Sequence, residues 1–383
     1  MELKTNFKIL LFTDWYEPGF KGGGPIRSAV NFVREMCSDY DIYIFTADRD
    51  LGDTKPYIGI ETDKWIRREN IHVFYASPQW LSWRNIKNLI STVAPDFIYL
   101  NSMYSRYFTI YPLLLHRVNK IFSQIILAPR GMLRKGAIRY KARKKKLFLL
   151  MLKSIHLLKK VSVHATDEQE KRDVSAHLPG ILGVKVIPNF SAAIPSYLFL
   201  MKKAGEINLL FISRISTIKN LTFLLAALSR IGGSITVKLT IRGTIEDDSY
   251  WNECKTLINK LPGNVMAHYD GPVDNEKVCS LIQQNHLFVL PTFGENFGHA
   301  IFEALAAGRP VLISDQTPWR HLEQQHAGWD LPLDDPRAFI NVIECVAEMD
   351  STAFEQWSRG AWEYAKAHSE NATLREQYKE LFS

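Results

Sequence analysis

The stretch that decides the fold runs from Leu287 to Pro318, LFVLPTFGENFGHAIFEALAAGRPVLISDQTP. Leu287 to Leu290 is an apolar run of strand length, stopped by Pro291. A glycine-rich turn follows, from Gly294 to Gly298. Good helix formers then run from Ala300 to Ala307, ended by Gly308 with Pro310 just beyond. Val311 to Ser314 closes the unit as a second apolar run. Strand, helix and strand joined by short loops make a βαβ unit, whose parallel strands are buried on both faces. In such units the crevice at the strand carboxyl ends and the helix N-terminus takes anionic ligands.

Two glutamates, Glu295 in the turn and Glu303 on the helix, stand with seven residues between them. An isolated carboxylate is usually solvated. Glu303, however, lies among Ile301, Phe302, Ala304, Leu305, Ala306 and Ala307. A carboxylate accepting hydrogen bonds from sugar hydroxyls accounts for that apolar setting. Together with the glycines, the proline and the EALAAGRPV ending, the segment resembles the signature of retaining glycosyltransferases of family 4. Those enzymes have the GT-B fold, two Rossmann-like doubly wound α/β domains with parallel sheets facing a cleft. The resemblance implies that Glu295 meets the donor sugar and Glu303 the nucleotide ribose. It also implies that Asn296, Phe297, Gly298, His299 and Ala300 line the donor, largely through backbone amides.

A chain of 383 residues is too long for one compact core and suits two domains. Hydrophobic content of 46% with 23% charged residues is that of a globular protein. No apolar run reaches the ~20 residues of a membrane span. The start reads as a first strand rather than a signal peptide. Cys37, Cys254, Cys279 and Cys345 are scattered without a CxxC pair, which fits a reduced, cytoplasmic setting and no zinc site.

Residues 7 to 13 read as strand one, and DWYEPGFKGGGPIRSAVNFVREM passes through a glycine loop into a helix. Gly22, Gly23 and Gly24 allow close backbone approach to a ligand. Arg27 breaks a dinucleotide fingerprint, and no P-loop lysine follows. In the family resembled, this loop lines the cleft near the diphosphate and the acceptor, implicating Gly23 and Gly24. Strands at Ile42 to Thr46, Phe97 to Leu100, Ile125 to Leu127 and Val161 to Ala165 alternate with helices, as in a doubly wound domain. Asp48-Arg49-Asp50 has the form of a metal-binding pair in the other transferase fold, GT-A, but such a triplet is more often a charged loop.

From Arg130 to Lys160 the chain turns basic: RGMLRKGAIRYKARKKKLFLLMLKSIHLLKK. Most charge runs are solvated helix faces. Here Leu147 to Leu152 directly follow Lys144, Lys145 and Lys146, so a peripheral, membrane-facing role on an anionic surface is expected. No zinc finger, aromatic sheet motif or reading helix supports nucleic acid as the partner. Many family members carry a histidine approaching the donor sugar in a segment that matches LAPRGML, which puts Arg130 at that position. Arg130, Arg134 and Lys135 are expected on the acceptor side. The HATDEQE and VIPNF passages also resemble family 4, and the resemblance is weakest between residues 50 and 120.

The second domain opens with a strand at Ile207 to Ile212, then SRISTIKNLTFLLAAL. Arg214 and Lys219 in that loop oppose the following helix dipole unless an anion lies between them. The resemblance assigns them to the donor diphosphate, and with Glu295 they form the expected catalytic set. No metal and no cofactor are expected, only a nucleotide-diphosphate sugar as substrate. Expected boundaries are residues 1–190, 191–365 and a C-terminal helix, 366–383, returning to the first domain. The function expected is transfer of a sugar to a glycan, lipid-linked in surface polysaccharide (O-antigen or capsule) biosynthesis. TPWRHLEQQHAGW resembles lipopolysaccharide and capsule transferases. The alternatives are a nucleotide-sugar epimerase and a non-catalytic glycan- or membrane-binding protein on the same fold.

Overall fold

The computed structural model describes residues 7–134, 138, 142–370 and 372–383. Within the helix Ala142–Ser154 it leaves out the side chains of Ala142, Arg143, Lys144, Lys146, Met151 and Lys153. Contacts divide the chain into two units: Met1–Phe190 with Ala372–Ser383, and Ser191–Asn371.

The first unit is built on an eight-stranded sheet. Its strands are β1 (Lys8–Phe12), β2 (Asp41–Ala47), β3 (Trp65–Arg68), β4 (Ile71–Ala76), β5 (Phe97–Leu100), β6 (Gln124–Leu127), β7 (Val161–Ala165) and β8 (Gly183–Val186). They lie in the order β3-β4-β2-β1-β5-β6-β7-β8. All pairs are parallel except the β3–β4 pair, which is antiparallel. The runs ILLF and FIYL are wholly buried, as strands covered on both faces must be. The last helix, Leu374–Leu381, completes this core. Tyr378 stacks on Phe190 with ring centroids 4.3 Å apart, and Phe382 packs against Phe32, Phe97 and Tyr99.

The second unit carries six strands: β9 (Glu206–Ile212), β10 (Thr236–Arg242), β11 (Val265–Tyr269), β12 (Leu287–Leu290), β13 (Val311–Ser314) and β14 (Gly328–Leu331). Their order is β11-β10-β9-β12-β13-β14, all parallel. The expected unit around Leu287 forms: β12, the helix His299–Ala306, then β13. The helix Ser351–Ser369 stays with this unit, so residues 366–371 precede the return.

Strand order reverses direction between β1 and β5 in one sheet and between β9 and β12 in the other. At such a switch point the connecting helices leave on opposite faces, opening a crevice beyond the strand carboxyl ends. Each sheet therefore carries one ready-made site.

Buried Arg309, from the EALAAGRPV ending, fastens the segment entering the second unit. Its guanidinium donates to the carbonyls of Leu198 (3.2 Å), Gly308 (2.7 Å) and Gln283 (2.7 Å). Burial lowers its pKa to about 10. The role of this motif arginine is thus internal, away from the crevice.

Candidate active site

In the second unit the switch point brings together the loops after β9 and β12. Lys219 ends a short 3-10 turn, Thr217–Lys219, and Asn220 follows at φ 58°, a left-handed conformation that asparagine tolerates. The Ile218 carbonyl accepts from the Phe293 amide at 2.8 Å and from Thr292 Oγ1 at 3.1 Å. These bonds tie the two loops side by side. Lys219 Nζ then meets Glu295 Oε1 at 2.5 Å, with the side chains 14% and 12% exposed. The two residues expected at the diphosphate and the donor sugar are thus direct neighbours.

The turn leading into the helix is shaped for backbone approach. Gly298 caps the helix His299–Ala306 at φ 79°. A Cβ there would lie 2.9 Å from Ile301 Cδ1 and 3.2 Å from Trp319 Nε1, so only glycine fits. No side chain caps this N-terminus, which leaves its positive end toward the crevice. His299 is buried with its ring 4.7 Å from Phe297. Ala300 and Glu303 are half-buried on the helix. The Asn296 side-chain oxygen is buried without a hydrogen-bond partner in the described structure.

Arg214, after β9, pairs with Glu246 at 2.8 Å, a partner that nothing in the sequence pattern points to. Its loop is set by Gly243, whose φ is 140°. A Cβ at Gly243 would stand 1.8 Å from the Ser213 carbonyl oxygen. Backbone bonds Ser213 N to Arg242 O (3.0 Å) and Ile215 N to Thr244 O (2.8 Å) hold this close approach.

In the first unit, Gly23 has φ 66° and starts the helix Gly24–Met36, with Pro25 in its first turn. The preceding loop is held by Asp50, whose carboxylate accepts from the amides of Phe20 (2.7 Å), Lys21 (3.0 Å) and Leu51 (2.8 Å). Asp48 pairs with Arg49 at 2.7 Å. The Asp48-Arg49-Asp50 triplet thus serves the glycine loop. Among the described residues no cluster of three or more His, Cys, Asp or Glu could hold a metal.

Arg130 sits elsewhere than an exposed acceptor-binding cation would. It is buried, at φ 53°, and its guanidinium donates to Asn101 Oδ1 (2.6 Å), Tyr99 OH (2.8 Å) and Asn189 Oδ1. Asn101 in turn donates to the Pro25 carbonyl at 3.0 Å. Arg130 therefore braces the start of the glycine helix from within. Tyr99 OH bonds His164 Nδ1 at 2.6 Å, and burial holds the His164 pKa down at about 3. Arg134 pairs with Asp167, the N-cap of the helix Glu168–His177. Lys135 lies outside the described residues.

One first-unit residue escaped the sequence reading. Asp14 follows β1 at the switch point, and burial pushes its carboxyl pKa up against hydrogen bonds from Ser105 and Ser102. Its signal, a lone aspartate after a strand, is too common to single out.

Residues 206–348 match the profile of the family described as glycosyl transferases group 1. Sucrose-phosphate synthase of Thermosynechococcus elongatus is 16% identical, with 98% of each chain covered and a TM-score of 0.71. HepE of Anabaena, solved with UDP and glucose, is 16% identical over 98% of this chain and 99% of its own, with a TM-score of 0.68. WaaG, a glycosyltransferase involved in lipopolysaccharide biosynthesis, is 13% identical over 98% and 99%, with a TM-score of 0.62. A comparison with curated protein sequences finds no match. The fold is GT-B, and the second unit carries the match to the glycosyl transferases group 1 profile.

Proposed function

We propose that this protein is a glycosyltransferase that moves a sugar from a nucleotide-diphosphate donor to a glycan with retention of configuration and without a metal. The observation that carries the reading is the Lys219–Glu295 pair beside the uncapped helix N-terminus at the second switch point. Glycosyl transfer develops positive charge at the anomeric carbon and negative charge on the leaving diphosphate. Stabilising that anion is the main electrostatic task. Lys219, Arg214 and the helix amides would share it. Glu295 would then release Lys219 to the diphosphate and accept hydrogen bonds from sugar hydroxyls, fixing the reacting carbon. Glu303 would hold the ribose. The acceptor oxygen attacks from the face the diphosphate leaves, the diphosphate takes the bonding electron pair, and the acceptor proton passes to it. HepE structures hold UDP with glucose and UDP-glucose, which supports a nucleotide-sugar donor.

The acceptor we propose is lipid-linked, in surface polysaccharide assembly at the inner face of the cytoplasmic membrane. WaaG's part in lipopolysaccharide biosynthesis supports the pathway. Charge supports the location. Residues 97–166 hold fifteen of the chain's 47 lysines and arginines and none of its 40 acidic residues. Leu147 and Leu150 are 70% and 61% exposed on the helix Ala142–Ser154, while Leu152 is buried. Val118 and Phe122 are exposed on the adjoining turn, and Arg117 Nε donates to the Ile155 carbonyl at 3.2 Å. Cations around protruding apolar side chains suit an anionic bilayer. Of the three lysines expected there, Lys145 lies over the Tyr104 ring at 5.0 Å, and the side chains of Lys144 and Lys146 are outside the described residues. No helix among the described residues is long and apolar enough to cross a membrane.

The test is release of nucleoside diphosphate from UDP-, ADP- and GDP-sugars, with and without a lipid-linked glycan, in excess chelator. Acceptor-dependent release giving an α-linked product from an α-linked donor supports the proposal. Release without an acceptor product, inversion, or loss of activity in chelator would each overturn the corresponding part.

A further inference from the structure

A buried aromatic cluster packs against the turn Phe297–Ala300. Trp319 is 3% exposed, on the loop after β13. Its Nε1 donates to the Phe297 carbonyl at 2.6 Å, one residue before the left-handed Gly298. The indole packs against Phe297 (5.4 Å between ring centroids) and Phe302 (5.8 Å), so it touches both the turn and the helix that follows. His368 at 4.7 Å and Tyr364 at 6.2 Å, both on the helix Ser351–Ser369, also pack against it, and the His368 ring lies 6.4 Å from Phe297 and 6.1 Å from Phe302. Burial lowers the His368 pKa, so the imidazole stays neutral against the stack.

The loop that carries Trp319 is itself held in place. The Trp319 amide donates to Thr317 Oγ1 at 3.3 Å, and the next residue, Arg320, pairs with Asp330 of β14 at 2.9 Å. Asp330 also accepts from the Leu322 amide at 3.0 Å. The loop is thereby fixed to the sheet, and the indole N–H is delivered to one carbonyl. Glu295 N reaches Gln316 O at a long 3.3 Å.

We infer that Trp319, backed by His368, is a positioning residue that sets the turn Phe297–Ala300 for the sugar nucleotide. The inference rests on the reading that this turn faces the donor. It adds that the second unit's last long helix takes part in shaping the turn, through His368. His368 lies three residues before Asn371, where the chain leaves this unit.

The variants are Trp319→Phe, which keeps a ring and removes the N–H, and His368→Phe, which keeps the stack. Backbone hydrogen exchange is read at Ile301 and Phe302, whose amides donate to the Gly298 carbonyl. Trp319→Phe should raise their exchange about tenfold, the loss of one buried hydrogen bond, with β9 unchanged. His368→Phe should leave it near wild type, and His368→Ala should raise it. In parallel, the dissociation constant is measured for whichever of UDP-, ADP- or GDP-glucose binds wild type best. An increase of about tenfold in Trp319→Phe is expected. Unchanged exchange in Trp319→Phe overturns the positioning role whatever the donor is. Faster exchange with unchanged sugar-nucleotide affinity, or no binding of any of the three by wild type, instead overturns the reading of the turn as the donor site.

Discussion

Lys219 and Glu295, 76 residues apart in the chain, meet at 2.5 Å across the switch point between β9 and β12. Neither is on a solvated face, and each comes from a loop pinned to the other through the Ile218 carbonyl. A cation and an anion held this way form a pair that a charged ligand can open. In the proposed function a diphosphate would take the cation and a polyhydroxy sugar the carboxylate.

On the proposed reading Lys219 compensates the leaving diphosphate, and Lys219→Ala removes that cation. Turnover should fall by about a thousandfold, the size of effect seen when one preorganised transition-state contact is lost. Circular dichroism should be unchanged, since the pair lies at a loop and contributes little to the core. Turnover within a few-fold of wild type in a folded Lys219→Ala protein would take the diphosphate role from Lys219.

Glu303 and Glu295 should fail in different ways. Glu303→Ala should weaken binding of the bare nucleoside diphosphate, because its assigned partner is the ribose. Glu295→Ala should leave that binding largely intact and lose transfer, because its assigned partner is the sugar. Calorimetric titration of both variants decides this. Equal loss of nucleotide affinity would show that the roles are divided wrongly.

The stability of the chain should depend on two buried histidines. Burial holds the folded-state pKa at about 3 for His164 and about 4 for His286, below the ordinary value of 6.5. Their neutral forms are used, His164 between Tyr99 and Ile187 and His286 accepting from the Asn208 amide at 2.9 Å. Above pH 6.5 both states are neutral and this stability is fully present. As pH falls from 6.5 toward 4 the unfolded chain takes up protons that the folded chain refuses. Stability is then lost at up to about 1.4 kcal/mol per pH unit for each histidine. Urea midpoints between pH 7 and pH 4.5 should fall accordingly, and His286→Gln should make the fall shallower. An equal slope in that variant would contradict the assignment.

How far the site could be read from sequence depends on how local its causes are. The turn from Gly294 to Gly298 and the helix after it were legible because periodicity, glycine placement and a family-like spacing lie within one short stretch. Arg130 was not, because its partners Tyr99, Asn101 and Asn189 come from three other segments, and only the folded sheet joins them. β3 was missed because WIRR is short, half-exposed and at an edge, so it lacks a buried strand's apolar run. β14 begins at Gly328 with φ 145°, where the Val311 carbonyl would meet a Cβ at 2.1 Å. A glycine so placed looks like a turn in sequence. Trp319 was visible only as part of a resembling segment, since its one decisive bond is to a carbonyl 22 residues away.

The basic face should bind membranes by charge more than by insertion. Each cation near an anionic leaflet contributes about 1 kcal/mol, so reversing Lys144, Lys145 and Lys146 together should abolish binding to vesicles containing phosphatidylglycerol. Added salt should have the same effect on wild type. Transfer to a lipid-linked acceptor should slow, while transfer to a short soluble acceptor changes little. Wild type that ignores anionic vesicles at low salt would reduce this segment to a solvated helix.

The central claim is that the Lys219–Glu295 crevice holds a nucleoside diphosphate, and ligand-induced thermal stabilisation measures it most directly. At a free concentration one hundred times its dissociation constant, a ligand of the folded state adds about 2.7 kcal/mol. Among UDP, ADP and GDP, at least one should raise the melting temperature of wild type, and the shift should be reduced in Lys219→Ala. No shift with any nucleoside diphosphate or its glucose conjugate, or a shift that Lys219→Ala leaves intact, would contradict the account.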